Sequence, residues 1–88
     1  MIEKDVKVVN RAGLHTRPAA SLVKLAAKFK SDVNLIRNGF AINAKSIIGV
    51  MTLAAEQGST LTIQVEGEDE NQALEELVGL FENGFGED

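Results

Sequence analysis

The residues best suited to chemistry lie in one short run, Gly13-Leu14-His15-Thr16-Arg17-Pro18, which holds the chain's only histidine. Helical periodicity begins at Thr16, so His15 stands where a loop becomes a helix. A helix start offers unpaired N–H groups and a partial positive charge, both suited to an anion. Arg17 adds a planar cation whose N–H groups match phosphate oxygens. Both features favour a neutral imidazole, whose unprotonated nitrogen is a nucleophile. A phosphoryl group placed on that nitrogen would then be held by the same surroundings. On residue types alone, the run also fits a surface histidine beside a solvated arginine, or an imperfect cap.

Other site chemistries lack their parts. A metal site usually needs three or four ligands, and one histidine with no cysteine falls short. His15 could serve as a base, but no Gly-x-Ser-x-Gly nucleophile motif occurs. No metal and no cofactor are expected.

The elements that must position His15 follow from periodicity. Residues 2–9 alternate as a strand, with Val6 and Val8 apart from Asp5 and Lys7, and a polar turn follows at Asn10-Arg11-Ala12-Gly13. A helix is predicted from Thr16 to Phe29, with Ala19, Leu22, Val23, Ala26 and Ala27 on its apolar face and Pro18 in its first turn. Asp32 to Arg37 and Phe40 to Ala44 form strands around Asn38-Gly39, a strong hairpin signal. A second helix runs from Ser46 to about Ala55, and Thr60 to Val65 form a fourth strand. Asp69 is expected to cap a last helix with an apolar stripe of Ala73, Leu74, Leu77, Val78 and Phe81, closed by Asn83-Gly84. Phe85 to Asp88 are expected to fray. The order β-α-β-β-α-β-α implies an α+β open-faced sandwich, a four-stranded antiparallel sheet with three helices on one face, in one domain spanning 1–88.

Composition narrows the function classes. At 88 residues, with 44% hydrophobic and 25% charged residues, the chain has the balance of a globular domain. Its net charge of -4 argues against general nucleic-acid binding, which needs a basic face. The N-terminus has no signal-peptide pattern, and the run Ile47 to Ala55 is too short to span a bilayer, so a cytoplasmic location without membrane insertion is expected.

The second helix carries its own signal. Ile47, Ile48, Val50, Met51, Leu53, Ala54 and Ala55 leave almost no polar face, and a domain this small cannot enclose a helix completely. Val50, Leu53 and Ala54 are assigned inward, and Ile47, Ile48 and Met51 outward as a partner surface. Arg17, Lys24, Lys28 and Lys45 are the candidates for a basic rim that would speed docking of acidic partners. Ser46 fits an ordinary N-cap. A phosphate there would add about -1.5 to -2 charges next to the apolar patch and impair docking of an acidic surface.

The segment Gly13-Leu14-His15-Thr16-Arg17-Pro18-Ala19 resembles the active-site signature of the HPr family of phosphoenolpyruvate-dependent phosphotransferase systems. Asn43-Ala44-Lys45-Ser46-Ile47-Ile48-Gly49-Val50-Met51 is similar to that family's regulatory-serine region, and Gly67 with Asp69 to Leu74 to its last strand-to-helix turn. The resemblance implies a phosphoryl carrier, not an enzyme with its own turnover. Enzyme I would phosphorylate Nδ1 of His15, Arg17 would steady the phosphoryl group, and enzyme IIA domains would take it towards a sugar. It also implies carbon catabolite regulation, in which an HPr kinase/phosphorylase modifies Ser46 and a transcriptional regulator responds. Thr16 stands where the family usually has alanine, and its hydroxyl is positioned to reach the phosphate or to compete for the cap. A monomer is expected. A nitrogen-related carrier with the same chemistry and a non-phosphorylated protein-binding module are the alternatives. A catabolite-control paralogue without the histidine is disfavoured by His15.

Overall fold

A computed structural model describes residues 1–87. Its elements are β1 (Ile2–Lys7), α1 (Thr16–Ala26), β2 (Asp32–Arg37), β3 (Phe40–Asn43), α2 (Ile47–Thr52), β4 (Thr60–Glu66) and α3 (Glu70–Glu82), followed by a short 3-10 turn at Gly84–Gly86. The strands form one sheet in the order β1-β4-β2-β3, every pair antiparallel. Period-two alternation sets the register: Val6 faces Leu61, and Val33 and Leu35 lie opposite Val65 and Ile63. These side chains are buried, whereas the other face carries polar pairs such as Thr62 to Asp5 (2.7 Å) and Gln64 to Glu3 (3.0 Å). Asn38 and Gly39 turn the hairpin with φ of 51° and 80°, as the dipeptide predicts.

The helices cover the apolar face and close one core. Pro18, Ala19, Leu22 and Ala26 of α1 and Ala73, Leu77, Val78 and Phe81 of α3 are buried against the strands' inward residues. The predicted α+β open-faced sandwich is therefore the observed fold. Among the described residues, no helix is long and apolar enough to cross a membrane.

Several boundaries differ from expectation for identifiable reasons. Formal pairing of β1 ends at Lys7, although Val8 still exchanges backbone hydrogen bonds with Ser59 (2.9 Å) and Gly58 (2.8 Å). Helix α1 ends at Ala26 because Lys28 and Phe29 bond back only three residues, to Leu25 and Ala26, which tightens the turn and leaves Ala27 exposed. Helix α2 is six residues long and stops at Thr52. Ala54 then adopts φ 48°, reversing the chain so that Ala55 is buried and Ala54, expected inward, is exposed. Arg37 supports this reversal by donating to the carbonyls of Leu53 (2.8 Å) and Ala54 (3.0 Å).

Asp69 occupies the N-cap position of α3, but its carboxylate makes no capping bond. It accepts instead from the Ser31 hydroxyl (2.5 Å) and from the N–H groups of Lys30 (2.9 Å) and Ser31 (3.0 Å), fastening the α1–β2 loop to the start of α3. These donors, the Ser31 hydroxyl foremost, hold its pKa at about 2, below the ordinary 3.8.

The expected fraying of the C-terminus is also corrected. Phe85 packs edge-on against Phe81, with ring centroids 4.9 Å apart, and the backbone bonds from Gly86 to Asn83 (3.1 Å) and Glu87 to Gly84 (2.9 Å) close the turn. An aromatic residue four positions beyond the last core aromatic supplies an anchor that polar tail composition hides. Asp88, part of the same expectation, lies outside the described residues.

Candidate functional site

The loop carrying His15 is built by backbone fit. Gly13 has φ 72°, and its Cα faces the chain leaving α2 so closely that a Cβ would meet Ala55 O at 2.5 Å and Glu56 Cα at 2.9 Å. The next residue, Leu14, donates its N–H to Ala55 O (2.8 Å) and buries its side chain. Buried Asn10 donates to Gly13 O (2.8 Å), closing the loop from its other side. The start of α1 is thereby stitched to the end of α2.

His15 emerges from this loop as the N-cap residue of α1, with its carbonyl accepting from Ala19 N–H (3.0 Å). Its imidazole makes no capping bond, and its side chain is 42% exposed. Among the described residues the helix N–H groups have no side-chain partner, and the ring is open to an approaching protein. Nε2 is engaged, lying 3.0 and 3.1 Å from the two carboxylate oxygens of Glu87. Asn10 Nδ2 donates to the same carboxylate at 3.1 Å. The Glu87 carboxyl is held below the ordinary carboxylate range, chiefly by its hydrogen bond with His15, against an opposing effect of burial and with help from Asn10 and the fields of His15 and Arg17.

Glu87 and Asn10 are the site residues that sequence reasoning missed. Residue types put Asn10 only in a turn and Glu87 in a fraying tail. Phe85, one helical turn past Phe81, is the signal that could have tied the tail down.

Arg17 and Thr16 occupy the exposed first turn of α1, and neither side chain makes a hydrogen bond or ion pair among the described residues. Thr16 thus does not compete for the cap. Lys24 and Lys28 are exposed farther along α1. Lys45 differs from the expected free rim cation: it is half-buried, and its Nζ donates to Phe29 O (2.8 Å) just beyond the end of α1.

At α2, Ser46 is the N-cap, and its hydroxyl oxygen accepts from Gly49 N–H (3.2 Å). Ile47, Ile48 and Met51 are 40%, 76% and 40% exposed, while Val50 and Leu53 are buried. The outward set is as expected, and the inward set loses only Ala54. The six-residue length explains the division, because one side suffices to seat the helix on the core.

Comparison with known proteins supplies what geometry leaves open. Residues 2–83 match the family model described as "PTS HPr component phosphorylation site". The chain is 50% identical over 88 residues to the phosphocarrier protein HPr of Treponema pallidum, covering 100% of both. Among solved structures, HPr-C-His from Thermoanaerobacter tengcongensis superimposes with a TM-score of 0.96 at 42% identity, covering 100% of this chain and 99% of that one. An HPr dimer from the same organism gives a TM-score of 0.80 at 42% identity, covering 99% of this chain and 100% of that one; a dimer among the structural neighbours stands against the expected monomer. Glu87 lies beyond the residues that the family model matches.

Proposed function

The chain belongs to the HPr family of phosphotransferase-system phosphocarriers, and on that premise we propose that it receives a phosphoryl group from enzyme I on His15 Nδ1 and passes it to enzyme IIA domains of a sugar-uptake system. The carrying observation is an exposed imidazole at the uncapped start of α1, with Nε2 occupied by a carboxylate and Nδ1 left for the reaction. Nδ1 attacks phosphorus as the donor's bond to phosphorus breaks, and the released electron pair stays with the donor. The helix N–H groups and Arg17 then face the new charge on the phosphoryl oxygens. The second transfer runs the same exchange outward.

Ile47, Ile48 and Met51 form the docking surface, with Lys24 as a flanking cation. Lys45 contributes by fixing the end of α1 against the residue preceding Ser46. Ser46 is the control point. An HPr kinase/phosphorylase adds a phosphate at the edge of the apolar patch, disfavouring acidic partners and favouring a basic regulator.

Incubation with enzyme I and phosphoenolpyruvate is expected to add one acid-labile phosphoryl group, detected by intact mass and absent in His15→Ala. An acid-stable label, or none, overturns the carrier reading. Arg17→Ala is expected to slow transfer roughly tenfold while leaving the fold intact. Ser46→Asp is expected to weaken binding to enzyme I several-fold by calorimetry, and unchanged affinity removes the assigned control.

A further inference from the structure

The His15–Glu87 contact has a definite chemical polarity. An ionised carboxylate has acceptors only, and both Glu87 oxygens lie within 3.1 Å of the same ring nitrogen. Nε2 must therefore be the donor. A neutral imidazole carries one N–H, so a proton on Nε2 leaves the lone pair on Nδ1. We propose that Glu87 is a positioning residue for phosphoryl transfer, holding His15 as the Nε2–H tautomer and fixing its ring so that Nδ1 presents the nucleophilic electron pair. This inference rests on the carrier reading above.

The carboxylate is itself held in place. Asn10, 1% exposed and fixed to Gly13 O, donates to Glu87 Oε1 (3.1 Å), while Phe85 anchors the turn on Phe81. Asn10 thus joins both ends of the constellation, since Gly13 precedes the His15 loop and Glu87 follows the 3-10 turn. Near neutral pH the Glu87 carboxyl is ionised like any ordinary carboxyl, so it accepts only. During transfer the Nδ1–phosphorus bond forms, the donor's bond to phosphorus breaks with its electron pair leaving on the donor, and the Nε2 proton stays between ring and carboxylate. The return step cleaves the Nδ1–phosphorus bond and restores the same tautomer, so no proton need be exchanged with solvent at the ring.

Glu87→Ala separates this role from a merely structural one. Long-range proton–nitrogen NMR correlations at about pH 8.5, where a histidine is ordinarily neutral, report the two tautomers directly. In the wild type the Nε2–H form is expected to be nearly exclusive. In Glu87→Ala it falls towards the mixed population of a solvated imidazole. Single-turnover phosphorylation by enzyme I at saturating donor should slow about tenfold, with the donor KM changed less than twofold. An unchanged tautomer population, an unchanged rate, or a loss confined to KM overturns the proposal. A wild-type chain that takes no phosphate at His15 overturns the carrier reading instead, and the tautomer spectra still decide whether Glu87 sets the ring.

Discussion

Helices α1 and α2 begin in opposite ways. At α2 the hydroxyl of Ser46 satisfies Gly49 N–H, and the terminus is closed. At α1 the N-cap residue is His15, whose ring turns to Glu87 and leaves the terminus without a side-chain partner among the described residues. Closing a helix start stabilises it by about 0.5–2 kcal/mol. Leaving one open forgoes that gain but keeps N–H groups available, which the proposed phosphoryl acceptance at His15 would use. A helix start is therefore not a reactive site in itself. On that proposal, the cap residue and what engages it decide between an ordinary joint and a place for chemistry.

The contrast is broken most severely at Gly13. Gly13→Ala drives a Cβ into Ala55 O and Glu56 Cα at a left-handed backbone position. A loss of about 2–3 kcal/mol in urea unfolding is expected, with slower phosphorylation of His15 as the loop shifts. Ser46→Ala makes the start of α2 resemble that of α1. It should cost about 1 kcal/mol in thermal or urea unfolding, while enzyme I still labels His15 alone, because an open terminus without a nucleophile does no chemistry. The smallest effect appears only in acid, at the third helix start. Asp69 has a native pKa of about 2 against an ordinary 3.8, so its contribution is complete above 3.8 and disappears as pH falls through about 2. Asp69→Asn should abolish that part of the acid dependence of stability, seen by comparing unfolding midpoints across this range.

Much of this arrangement can be read from the chain because it depends on neighbours. Alternation at Leu61, Ile63 and Val65 identifies a half-buried strand, Asn38-Gly39 identifies its hairpin, and Ser46 before an apolar run identifies a cap. His15 and Arg17 are likewise legible as a local constellation. The missed contacts join distant segments. Glu87 lies 72 residues from His15, and Asp69 lies 38 from Ser31, so no periodicity links them. Asp69 looked like a cap because its position is one, although its carboxylate found better donors across the fold. Ala54 gave no warning of its positive φ, which is usually assigned to glycine or asparagine and is supported here by Arg37 of β2. Lys45 looked like a free cation until the end of α1 supplied a carbonyl for it.

The strand order also has a consequence for how the chain assembles. One of the sheet's two interior strands, β4, is synthesised after β1, β2 and β3, and among the described residues β1 pairs with it alone. On the ribosome, the first strand must wait until residues 60–66 have emerged, with the β2–β3 hairpin as the only closed piece of sheet available earlier. The loop carrying His15 waits as well, because Leu14 takes its backbone partner from Ala55. Such distant pairings slow folding. Competence for the proposed phosphate transfer should therefore arrive in a single late event, once residues 60–66 and the turn leading to Glu87 have been made.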